Sequence, residues 1–585
     1  MAKIKVKQEN DHYDIGIIGC GPRGLSSLEA LYAACKETEK IPKVIVFEST
    51  EYPGAGPVYN LQQPKTNWLN VSERGLAITP RMEVKLSGFT IPSFPDFQNW
   101  SGYSEKQIPS TTADSFPLRS ELGKYLTERF DSIAQILIKE NLLTIVQGEV
   151  DHIALENNVV KIEIIGGEAY RAGEVALCIG HQPVELDKQL TGWKNRVNEI
   201  DGSVLFTQPY PVSRIVESTG LIKDSKVAIR GFGLAMIDVA RALTEGNGGR
   251  FEILNENTRE MKYVTSGMEP KTIIPFSLNG LPMSPKPLNR KIDEFYVPSS
   301  TQLKSYELAV EESLKKKNSL KSTNFLIGAI APIIAEIFIA IGDGTRSHDL
   351  SKNELVKIIH SWLMDAEYEH KLIVSKELPA SKSLKLFVHM ATGSAPVSLD
   401  YCIGHVWRHI QPTMYRLLSF APISDELVGE IVLLDERLKR YSYGPPVDSL
   451  QQLLALIESG NINMDFIADP QIELNENGWN FNLNGNAVDI DIMVNSVLDA
   501  PQILNVVSPL PSRLIQKSLI EPIHDKLGVR TRKDALMEIV GDTGTIPVAM
   551  MGRLAKGTLI GVDAIAECFG ERPSFWANGF IERLK

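Results

Sequence analysis

One stretch near the start of the chain limits most strongly how the sequence can fold. Residues 14–18 are apolar and rich in branched side chains, which predicts a buried parallel strand. A loop with glycine at its first, third and sixth positions follows, and residues 25–36 then carry apolar side chains at helical spacing. Residues 43–47 predict a second strand, which ends at Glu48. This order of strand, glycine loop, helix and strand is that of a βαβ unit in a parallel sheet.

The glycine loop predicts a binding site for a dinucleotide. Gly19 permits the tight turn, Gly21 lets the backbone approach a pyrophosphate, and Gly24 lets the helix pack close to the strand. The N-terminus of the helix offers free N–H groups to the phosphates. Glu48 is placed to accept hydrogen bonds from ribose hydroxyls. The alternative is a glycine turn in an unrelated α/β unit.

Length, charge and cysteine usage exclude several classes of protein. With 585 residues the chain is too long for one core, which predicts two or three domains. A net charge of -11 without a basic stripe argues against nucleic-acid binding. The five cysteines form no C-x-x-C pair, which fits a reducing compartment and argues against a redox-active cysteine pair. We therefore expect a cytoplasmic protein with a small-molecule substrate and neither membrane nor nucleic acid as partner; the oligomeric state stays open.

Two segments bear on whether the chain meets a membrane. Residues 1–14 contain no apolar core, so they do not predict a signal peptide. The longest apolar run, residues 325–341, carries Pro332 and Glu336 and is shorter than the roughly 20 residues that span a bilayer. It predicts a buried helix.

A long segment after Glu48 has neither helical nor strand period and predicts a functional loop. Glycines at 54 and 56 permit close approach to a flat ring, and Tyr59, Trp68 and Asn70 offer stacking or hydrogen bonds to it. The alternative is a surface excursion with a tucked-in tryptophan. Further on, Arg119 begins a predicted helix over residues 120–140; it either reaches a phosphate or pairs with Glu121 or Glu128.

Residues 143–180 predict strands, with a hairpin turn at Asn157-Asn158. A buried strand over residues 175–179 ends at Gly180, where the backbone can pass close to a cofactor. His181 follows as a possible contact, or as a histidine that only bonds loop carbonyls.

The same order of parts then repeats, which predicts a second dinucleotide-binding half. Residues 226–230 predict a strand that leads into Gly231 and Gly233, although Met236 occupies the third glycine position. A predicted hairpin and strand over residues 475–497 match those that precede Gly180. One half would hold a tightly bound dinucleotide and the other an exchangeable one.

The second half is interrupted by a proline-rich segment over residues 255–300 and by mostly helical residues over 301–460. His405 and His409 have the spacing of zinc ligands on a helix, but Val406 replaces the glutamate of that motif, so no metal is predicted. At the C-terminus we expect a strand over residues 550–554 and a helix over 562–569 whose N-terminus points at the ring end of a flavin.

These motifs together resemble the FAD–NAD(P)-binding proteins related to FAD-dependent urate hydroxylase and aspartate N-monooxygenase. The resemblance rests on GCGPRGL, FEST with GAGPVY and NWLNV, FPLRSELGKYL, VALCIGHQP, GFGLAMIDVARAL, YVTSGMEPKTIIPFSLNGLP and YSYGPP. It implies FAD in the first half and NAD(P)H in the second. The predicted contacts to FAD and NAD(P)H are Gly19, Cys20, Gly21, Pro22, Arg23, Gly24, Glu48, Ser49, Asn70, Gly180, His181, Gly231 and Gly233.

The predicted fold class is α/β, with two Rossmann-like dinucleotide-binding domains of the three-layer ββα flavoprotein type and a mostly helical insertion. Many relatives carry a serine–arginine pair where this chain has Ser277-Leu278, which leaves the choice between NADH and NADPH open. The predicted boundaries are 1–206 and 501–585 for the FAD-binding domain, 207–300 and 466–500 for the NAD(P)-binding domain, and 301–465 for the insertion.

The leading hypothesis is an FAD-dependent, NAD(P)H-using monooxygenase that hydroxylates a small polar substrate through a flavin hydroperoxide. No catalytic base can be assigned from the sequence. Two alternatives stay open: a flavin- or nucleotide-binding sensor without turnover, which the missing glycine at Met236 favours, and a reductase without oxygen insertion.

Overall fold

The computed structural model describes residues 12–156, 159–218, 223–316, 320–498, 500, 502–539 and 544–584. The strands are β1 (His12–Ile18), β2 (Val44–Glu48), β3 (Val84–Leu86), β4 (Phe89–Ile91), β5 (Leu143–Gln147), β6 (Val150–Glu156), β7 (Val159–Ile164), β8 (Ala169–Leu177), β9 (Val204–Phe206), β10 (Lys226–Arg230), β11 (Arg250–Asn255), β12 (Glu260–Val264), β13 (Thr272–Phe276), β14 (Gln471–Asn475), β15 (Gly478–Leu483), β16 (Asn486–Ile490), β17 (Ile492–Asn495), β18 (Leu536–Glu538) and β19 (Thr545–Met550).

The helices of the described residues lie between these strands and in one long block after β13. They are α1 (Pro22–Ala34), α2 (Phe97–Ser101), α3 (Arg119–Lys139), α4 (Lys188–Arg196), α5 (Ser213–Glu217), α6 (Leu234–Thr244), α7 (Arg290–Asp293), α8 (Ser300–Lys315), α9 (Asn324–Ile341), α10 (Lys352–Met364), α11 (Ala380–Ala391), α12 (Leu399–Leu418), α13 (Asp425–Ser442), α14 (Val447–Glu458), α15 (Pro509–Gln516), α16 (Ile565–Cys568) and α17 (Arg572–Leu584).

The first sheet has the order β18-β19-β8-β1-β2-β5, and β6 and β7 join it along β8. Its central strands are parallel, and Ile18 at the end of β1 lies opposite Phe47 on β2 and Leu177 on β8. One face packs against α1, α3 and α17, and the other against the β6–β7 hairpin and the C-terminal segment. Strands from the beginning and the end of the chain therefore share one sheet.

The β6–β7 hairpin is present where the sequence indicated one, with Glu156 opposite Val159. The predicted turn residues Asn157-Asn158 lie outside the described residues. The hairpin covers one face of the parallel sheet, which produces the layer of β-structure that the ββα prediction requires.

A second, parallel sheet has the order β13-β10-β17-β9. Its edge strand β13 lies within the proline-rich segment over residues 255–300, for which no strand was predicted. Pro275, which argued against a strand, lies inside β13. Proline is tolerated on an edge strand, where one side of the backbone needs no partner. With two parallel sheets and helices around them, the predicted α/β fold class is confirmed.

Within the helical insertion the sequence pattern predicted helices over residues 307–316, 333–341, 355–368, 406–418 and 450–459, and it missed α11 and α13. Helix α9 lies within Asn324–Gly344, which has the length and composition of a membrane-crossing helix, and half of that stretch is buried inside the protein. The length argument against a membrane span therefore fails. Helix α9 packs against α8, α10 and α12, as expected for the buried helix that the sequence predicted.

The C-terminal elements differ from the prediction. The final strand is β19, which ends at Met550 where the predicted strand begins, and the predicted helix over residues 562–569 is only the short α16. Helix α17 was missed, although it packs on α1 and completes the core on that face of the first sheet. Its glycine at 579 and proline at 573 interrupt the apolar pattern.

Candidate cofactor and substrate cleft

A cleft of about 1620 Å³ runs from the glycine loop after β1 to helices α12 and α13 of the insertion. Its size exceeds the roughly 300–1,000 Å³ that pockets for drug-sized ligands have, so it offers room for more than one small molecule. One end is lined by residues that the sequence analysis selected: Gly19, Gly21, Pro22, Arg23, Glu48, Ser49, Asn70, Gly180 and His181. Cys20, Gly24, Gly231 and Gly233 are not part of the lining.

The three glycines of the loop have distinct steric roles. Gly19 has a φ of +86°, and a Cβ there would come within 2.7 Å of the Cys178 carbonyl oxygen. A Cβ on Gly24 would lie 2.3 Å from the Gly19 carbonyl oxygen, so this glycine allows α1 to pack against the turn. Gly21 precedes α1, and a Cβ there would find its nearest atom at 3.7 Å, on Gly56. Gly21 is thus the position where the backbone lies open to the cleft.

Glu48 lies beside the loop at the end of β2, and its side chain is buried. One carboxylate oxygen accepts a hydrogen bond from the Cys20 backbone N–H at 2.7 Å, and the other accepts one from the Thr50 N–H at 2.8 Å. Each oxygen of a carboxylate can accept a second hydrogen bond. The carboxylate is therefore held in place at the cleft wall with capacity left for ribose hydroxyls.

Arg23 and Cys20 contribute to the loop in different ways. The Arg23 guanidinium donates to the carbonyl oxygens of Val562 at 2.6 Å and Met551 at 3.3 Å, which fixes its charge at the cleft wall next to the helix N-terminus. The Cys20 side chain is fully buried, and burial raises the pKa of its thiol. The Cys20 backbone bonds Glu48 through its N–H and Gly54 through its carbonyl, so Cys20 supports the loop and does not line the cleft.

The long loop after β2 folds back onto the glycine loop. The Gly54 N–H donates to the Cys20 carbonyl at 2.5 Å, and Tyr59 and Asn70 line the cleft. Trp68 does not line it: the Arg241 guanidinium lies over its ring, 4.0 Å from the centroid. Two of the three residues predicted to contact a flat ring, Tyr59 and Asn70, therefore line the cleft. The third, Trp68, contacts Arg241 on α6 and so connects the domain of the first sheet to that of the second.

Gly180 and His181 lie where β8 meets the cleft, and Gly180 has a φ of +59°. A ring nitrogen of His181 is hydrogen-bonded to the Arg553 guanidinium. Although the His181 side chain is exposed, desolvation by its neighbours, and next the Arg553 charge, lower its pKa, so the imidazole is neutral near pH 7. His181 therefore bonds a side chain of the C-terminal segment, and not a loop carbonyl as the alternative held.

The second glycine loop is built differently from the first. Gly231 has a φ of +110°, and a Cβ there would come within 2.8 Å of the Ser496 hydroxyl oxygen. Met236 occupies the third glycine position, and its side chain is buried in the core. Leu234, the first residue of α6, lines the cleft, and the N-terminus of that helix therefore faces it.

Arg119 pairs with Asp238 and not with Glu121 or Glu128. Its guanidinium donates to the Asp238 carboxylate at 2.5 Å and to the Tyr210 hydroxyl at 3.3 Å, and the Tyr210 hydroxyl donates to Asp238 at 2.6 Å. Burial raises the pKa of Asp238, although the guanidinium opposes this. Because Arg119 belongs to the first sheet's domain and Asp238 lies on α6, this buried pair fixes one domain against the other.

An ionic cluster lines the far end of the cleft. Asp293 accepts hydrogen bonds from Arg74 at 3.1 Å, from His409 at 3.1 Å and from Arg408, and Arg74 also pairs with Asp114 at 2.6 Å. Burial of Asp293 would raise the pKa of its carboxyl group. The charge of Arg408 is the largest of the effects that outweigh burial and hold this pKa far below its usual range. The cluster lies between the first sheet's loops and α12, so the insertion supplies part of the cleft wall.

Lys286 lies beside this cluster and was not identified from the sequence. Its ammonium donates to the Gly444 carbonyl at 2.9 Å and to the Asn70 carbonyl, and it lines the cleft. Burial, and next the Arg408 charge, lower the pKa of Lys286 to about 7. The only sequence signal was the proline-rich stretch around it, which indicates an irregular segment packed against something.

A second ionic cluster joins α13 to the C-terminal segment. Asp563 pairs with Lys439 at 2.5 Å, with Arg553 at 2.9 Å and with Lys556 at 3.1 Å. The short helix α16 follows it, and the Glu567 carboxylate caps its own N-terminus through the Ala564 N–H at 2.9 Å. Ala564, Ile565 and Ala566 at that N-terminus line the cleft, and its orientation toward the ring end of a flavin stays a prediction.

His405 and His409 do not share a ligand position. His405 is fully buried against the rings of Tyr401 and Tyr296, whereas His409 bonds Asp293. Burial lowers the pKa of His405, which keeps the ring neutral. Within the described ranges, no group of three histidine, cysteine or acidic side chains is arranged to hold a metal.

With this geometry in place, comparison with known proteins identifies the first segment. Residues 16–182 match the family model described as FAD-NAD(P)-binding. This part of the chain is an FAD-NAD(P)-binding domain. The match covers the glycine loop, Glu48, Asn70 and Gly180, and the predicted family resemblance and cofactor class are confirmed for this domain.

Two curated relatives extend the similarity beyond that domain. Nitrosuccinic acid synthase npaA of Aspergillus oryzae is 26% identical over 291 residues, which cover 48% of this chain and 42% of that protein. L-aspartate N-monooxygenase (nitrosuccinate-forming) of Streptomyces cremeus is 24% identical over 307 residues, which cover 48% of this chain and 44% of that protein. The matches thus span less than half the length of these relatives.

Among solved structures, ornithine hydroxylase (PvdA) from Pseudomonas aeruginosa aligns with 98% of this chain and 100% of its own. The alignment has 10% sequence identity and a TM-score of 0.45. A similarity of this size supports no inference about activity, and the fold described above follows from the strand order alone.

Proposed function

We propose that this chain is an FAD-dependent, NAD(P)H-using oxidoreductase that acts as a monooxygenase on a small polar substrate. The observation that carries the proposal is one continuous cleft that joins the glycine loop and Glu48 to an ionic wall supplied by the helical insertion. FAD, when bound, would accept a hydride from NAD(P)H and pass the electrons to oxygen. The chain's own residues would bind, orient and enclose the reactants.

The first glycine loop fits the diphosphate of FAD. Gly21 leaves the backbone open, the N-terminus of α1 supplies N–H groups, and Arg23 supplies a fixed positive charge. Glu48 would accept hydrogen bonds from the ribose. Tyr59, Asn70 and Gly180 would surround the rest of the cofactor, as their positions along the cleft suggest.

The second glycine loop would take NAD(P)H, because the N-terminus of α6 faces the same cleft at Leu234. The ionic cluster around Asp293, with Lys286 and Arg408, would orient the polar groups of the substrate. Both relatives are named for nitrosuccinate and the second also for L-aspartate, which supports a small amine-bearing acid as substrate. A cytoplasmic location stays a prediction.

Anaerobic stopped-flow reduction tests the proposal directly. Protein loaded with FAD is mixed with excess NADH or NADPH, and the flavin absorbance is followed before oxygen is admitted. We expect the flavin to bleach within seconds and, with labelled oxygen and a range of amine-bearing acids, the label to enter an organic product. Flavin that stays oxidised for minutes would instead support the sensor hypothesis, and bleaching without labelled product would support the reductase.

A valine at position 233 should separate the two nucleotide sites. Gly233 has an ordinary φ of -126°, and a Cβ there would lie 3.8 Å from the Met283 sulfur, so the protein has room for a side chain. A valine would instead occupy the space through which a phosphate approaches the loop. Losing one or two phosphate hydrogen bonds costs about 1.5–3 kcal/mol each. We expect Gly233→Val to retain FAD and to raise the NAD(P)H concentration for half-maximal reduction at least about tenfold. Unchanged reduction by this variant would place NAD(P)H elsewhere.

The charge of Lys286 should appear in the pH dependence of flavin reduction. Its lowered pKa of about 7 means that the ammonium loses its proton as pH rises through that value. A cation beside the cofactor would stabilise the negative charge that two added electrons bring. We therefore expect the reduction rate to fall across this pH range in the wild type and to show no such step in Lys286→Met. Identical pH profiles for the two proteins would show that the charge of Lys286 does not influence the flavin.

A further inference from the structure

A second cavity, of about 820 Å³, lies on the other side of α13 and is not part of the cleft described above. Its walls are the end of α10, the loop after it, one face of α13 and the segment that follows β13. Its volume lies within the range of pockets that hold small ligands. None of the residues assigned to the cofactor cleft lines this cavity.

The cavity carries an excess of positive charge. Five cationic side chains line it, against two carboxylates: Arg346, Arg437, Arg440, Lys371 and Lys376 against Glu367 and Glu369. Glu367 already pairs with Lys376, at 2.9 Å. In a protein with a net charge of -11, this local excess of cations is unlike the surface as a whole.

The three arginines are held by backbone groups and not by carboxylates. Arg437 donates to the carbonyls of Trp362 and Leu363, at 2.9 and 2.8 Å, and Arg346 to those of Lys371 and Ile373, at 3.1 and 2.8 Å. Within the described part of the chain, none of the three arginines forms an ion pair with a carboxylate. Asp365 is too far from Arg437 for an ion pair, and its charge only opposes the lowering of the Arg437 pKa by burial.

Donors remain free on these arginines. The Arg440 Nε donates to the Pro282 carbonyl at 2.7 Å, and the guanidinium lies over the rings of Phe387 and Tyr441. Among the described residues, its two Nη groups have no hydrogen-bond acceptor. The Nε of Arg437 is buried and has no partner among the described residues. A guanidinium presents five N–H donors in a planar fork that matches a phosphate or carboxylate. Because the cations outnumber the carboxylates here, they repel one another, and an anion that enters this cavity is stabilised by them.

We propose that this cavity is an anion-binding site that takes the phosphate group of a small ligand. Two sources of that phosphate fit its position. The second sheet places Arg230 opposite Phe276, as the first places Ile18 opposite Phe47, so Ser277 stands where Glu48 stands in the first site. Asn279, two residues after Ser277, lines the cavity. The cavity therefore lies next to the position that the adenosine end of NADPH would occupy. The alternative source is a separate phosphorylated ligand.

Titration with inorganic phosphate and pyrophosphate tests the site without any need for turnover. Calorimetry on the full-length protein with FAD bound should show saturable binding, weakened at least about tenfold in Arg440→Gln and Lys371→Gln. Lys371 is exposed, so its variant keeps the test valid if Arg440→Gln does not fold. Arg250→Gln, which removes an exposed arginine far from the cavity in sequence, is the matched control. No saturable binding, or equal binding by all four proteins, would overturn the proposal.

Kinetics with the two nicotinamide cofactors then separate the sources of phosphate. This arm rests on the proposed function, whereas the titration does not. If Arg440→Gln raises KM for NADPH at least about tenfold and leaves KM for NADH unchanged, the phosphate is the 2′-phosphate of NADPH. If both KM values are unchanged while pyrophosphate binding is weakened, the site serves a separate phosphorylated ligand.

Discussion

Gly21→Val is expected to abolish retention of FAD while the protein stays folded. The φ of -74° that precedes α1 is accessible to valine, so the change adds a side chain without straining the backbone. The added methyl groups would occupy the narrow space between Gly21 and Gly56, where the diphosphate must approach the loop. Two lost hydrogen bonds to a charged phosphate correspond to a loss of affinity of about 100-fold or more.

The measurement is flavin fluorescence quenching on titration of the deflavinated protein with FAD. Gly192→Val is the matched control, because Gly192 lies in the exposed helix α4 with no atom near the position of its Cβ. Circular dichroism should show the same helix content for both variants. Equal FAD affinity in wild type and Gly21→Val would remove the glycine loop from the binding site.

The second large effect is expected from breaking the buried pair between Arg119 and Asp238. Arg119→Met leaves the Asp238 carboxylate buried beside Tyr210 without its guanidinium, and loss of one partner of a buried ion pair costs about 3–5 kcal/mol. Urea unfolding should report this decrease in the free energy of unfolding. Arg250→Met, at an exposed pair with Glu252, should change it by less than about 0.5 kcal/mol.

The pH dependence of the Arg119→Met variant distinguishes a buried charge from lost packing. The pKa of Asp238 is raised by burial, and removal of the guanidinium, which opposes this, raises it further. The native state then binds more protons than the unfolded state. The free energy of unfolding therefore increases as the pH falls from the raised native-state pKa of Asp238 toward its unfolded-state value. The variant should regain part of the lost stability as the pH falls toward the ordinary pKa of an aspartate, and Asp238→Asn in the same background should regain it at every pH. A pH-independent loss would indicate packing alone.

The first βαβ unit could be predicted from sequence because each of its parts follows a local rule. The steric roles of Gly19 and Gly24 depend only on the turn and on the helix that it begins, and both appear as expected. Glu48 is fixed by the end of β2, so its place beside the loop also follows from local order. The family match over residues 16–182 covers this predictable part of the chain.

The residues that were missed depend on contacts between segments far apart in sequence. Arg119 pairs with Asp238, and Lys286 bonds the Asn70 and Gly444 carbonyls, and no local pattern indicates either contact. Strand β13 was missed because Pro275 argues against a strand unless its edge position is known. Helices α11 and α13 lie in a block of helices where the apolar stripes face several neighbours at once.

The central claim is that the cleft beside the first glycine loop holds FAD. The measurement that tests this claim most directly is the absorbance spectrum of the purified protein after incubation with FAD and removal of unbound cofactor. We predict flavin bands at about one FAD for each chain, lost in Gly21→Val and retained in Gly233→Val. A colourless wild-type protein, or flavin retained equally by both variants, would contradict the account.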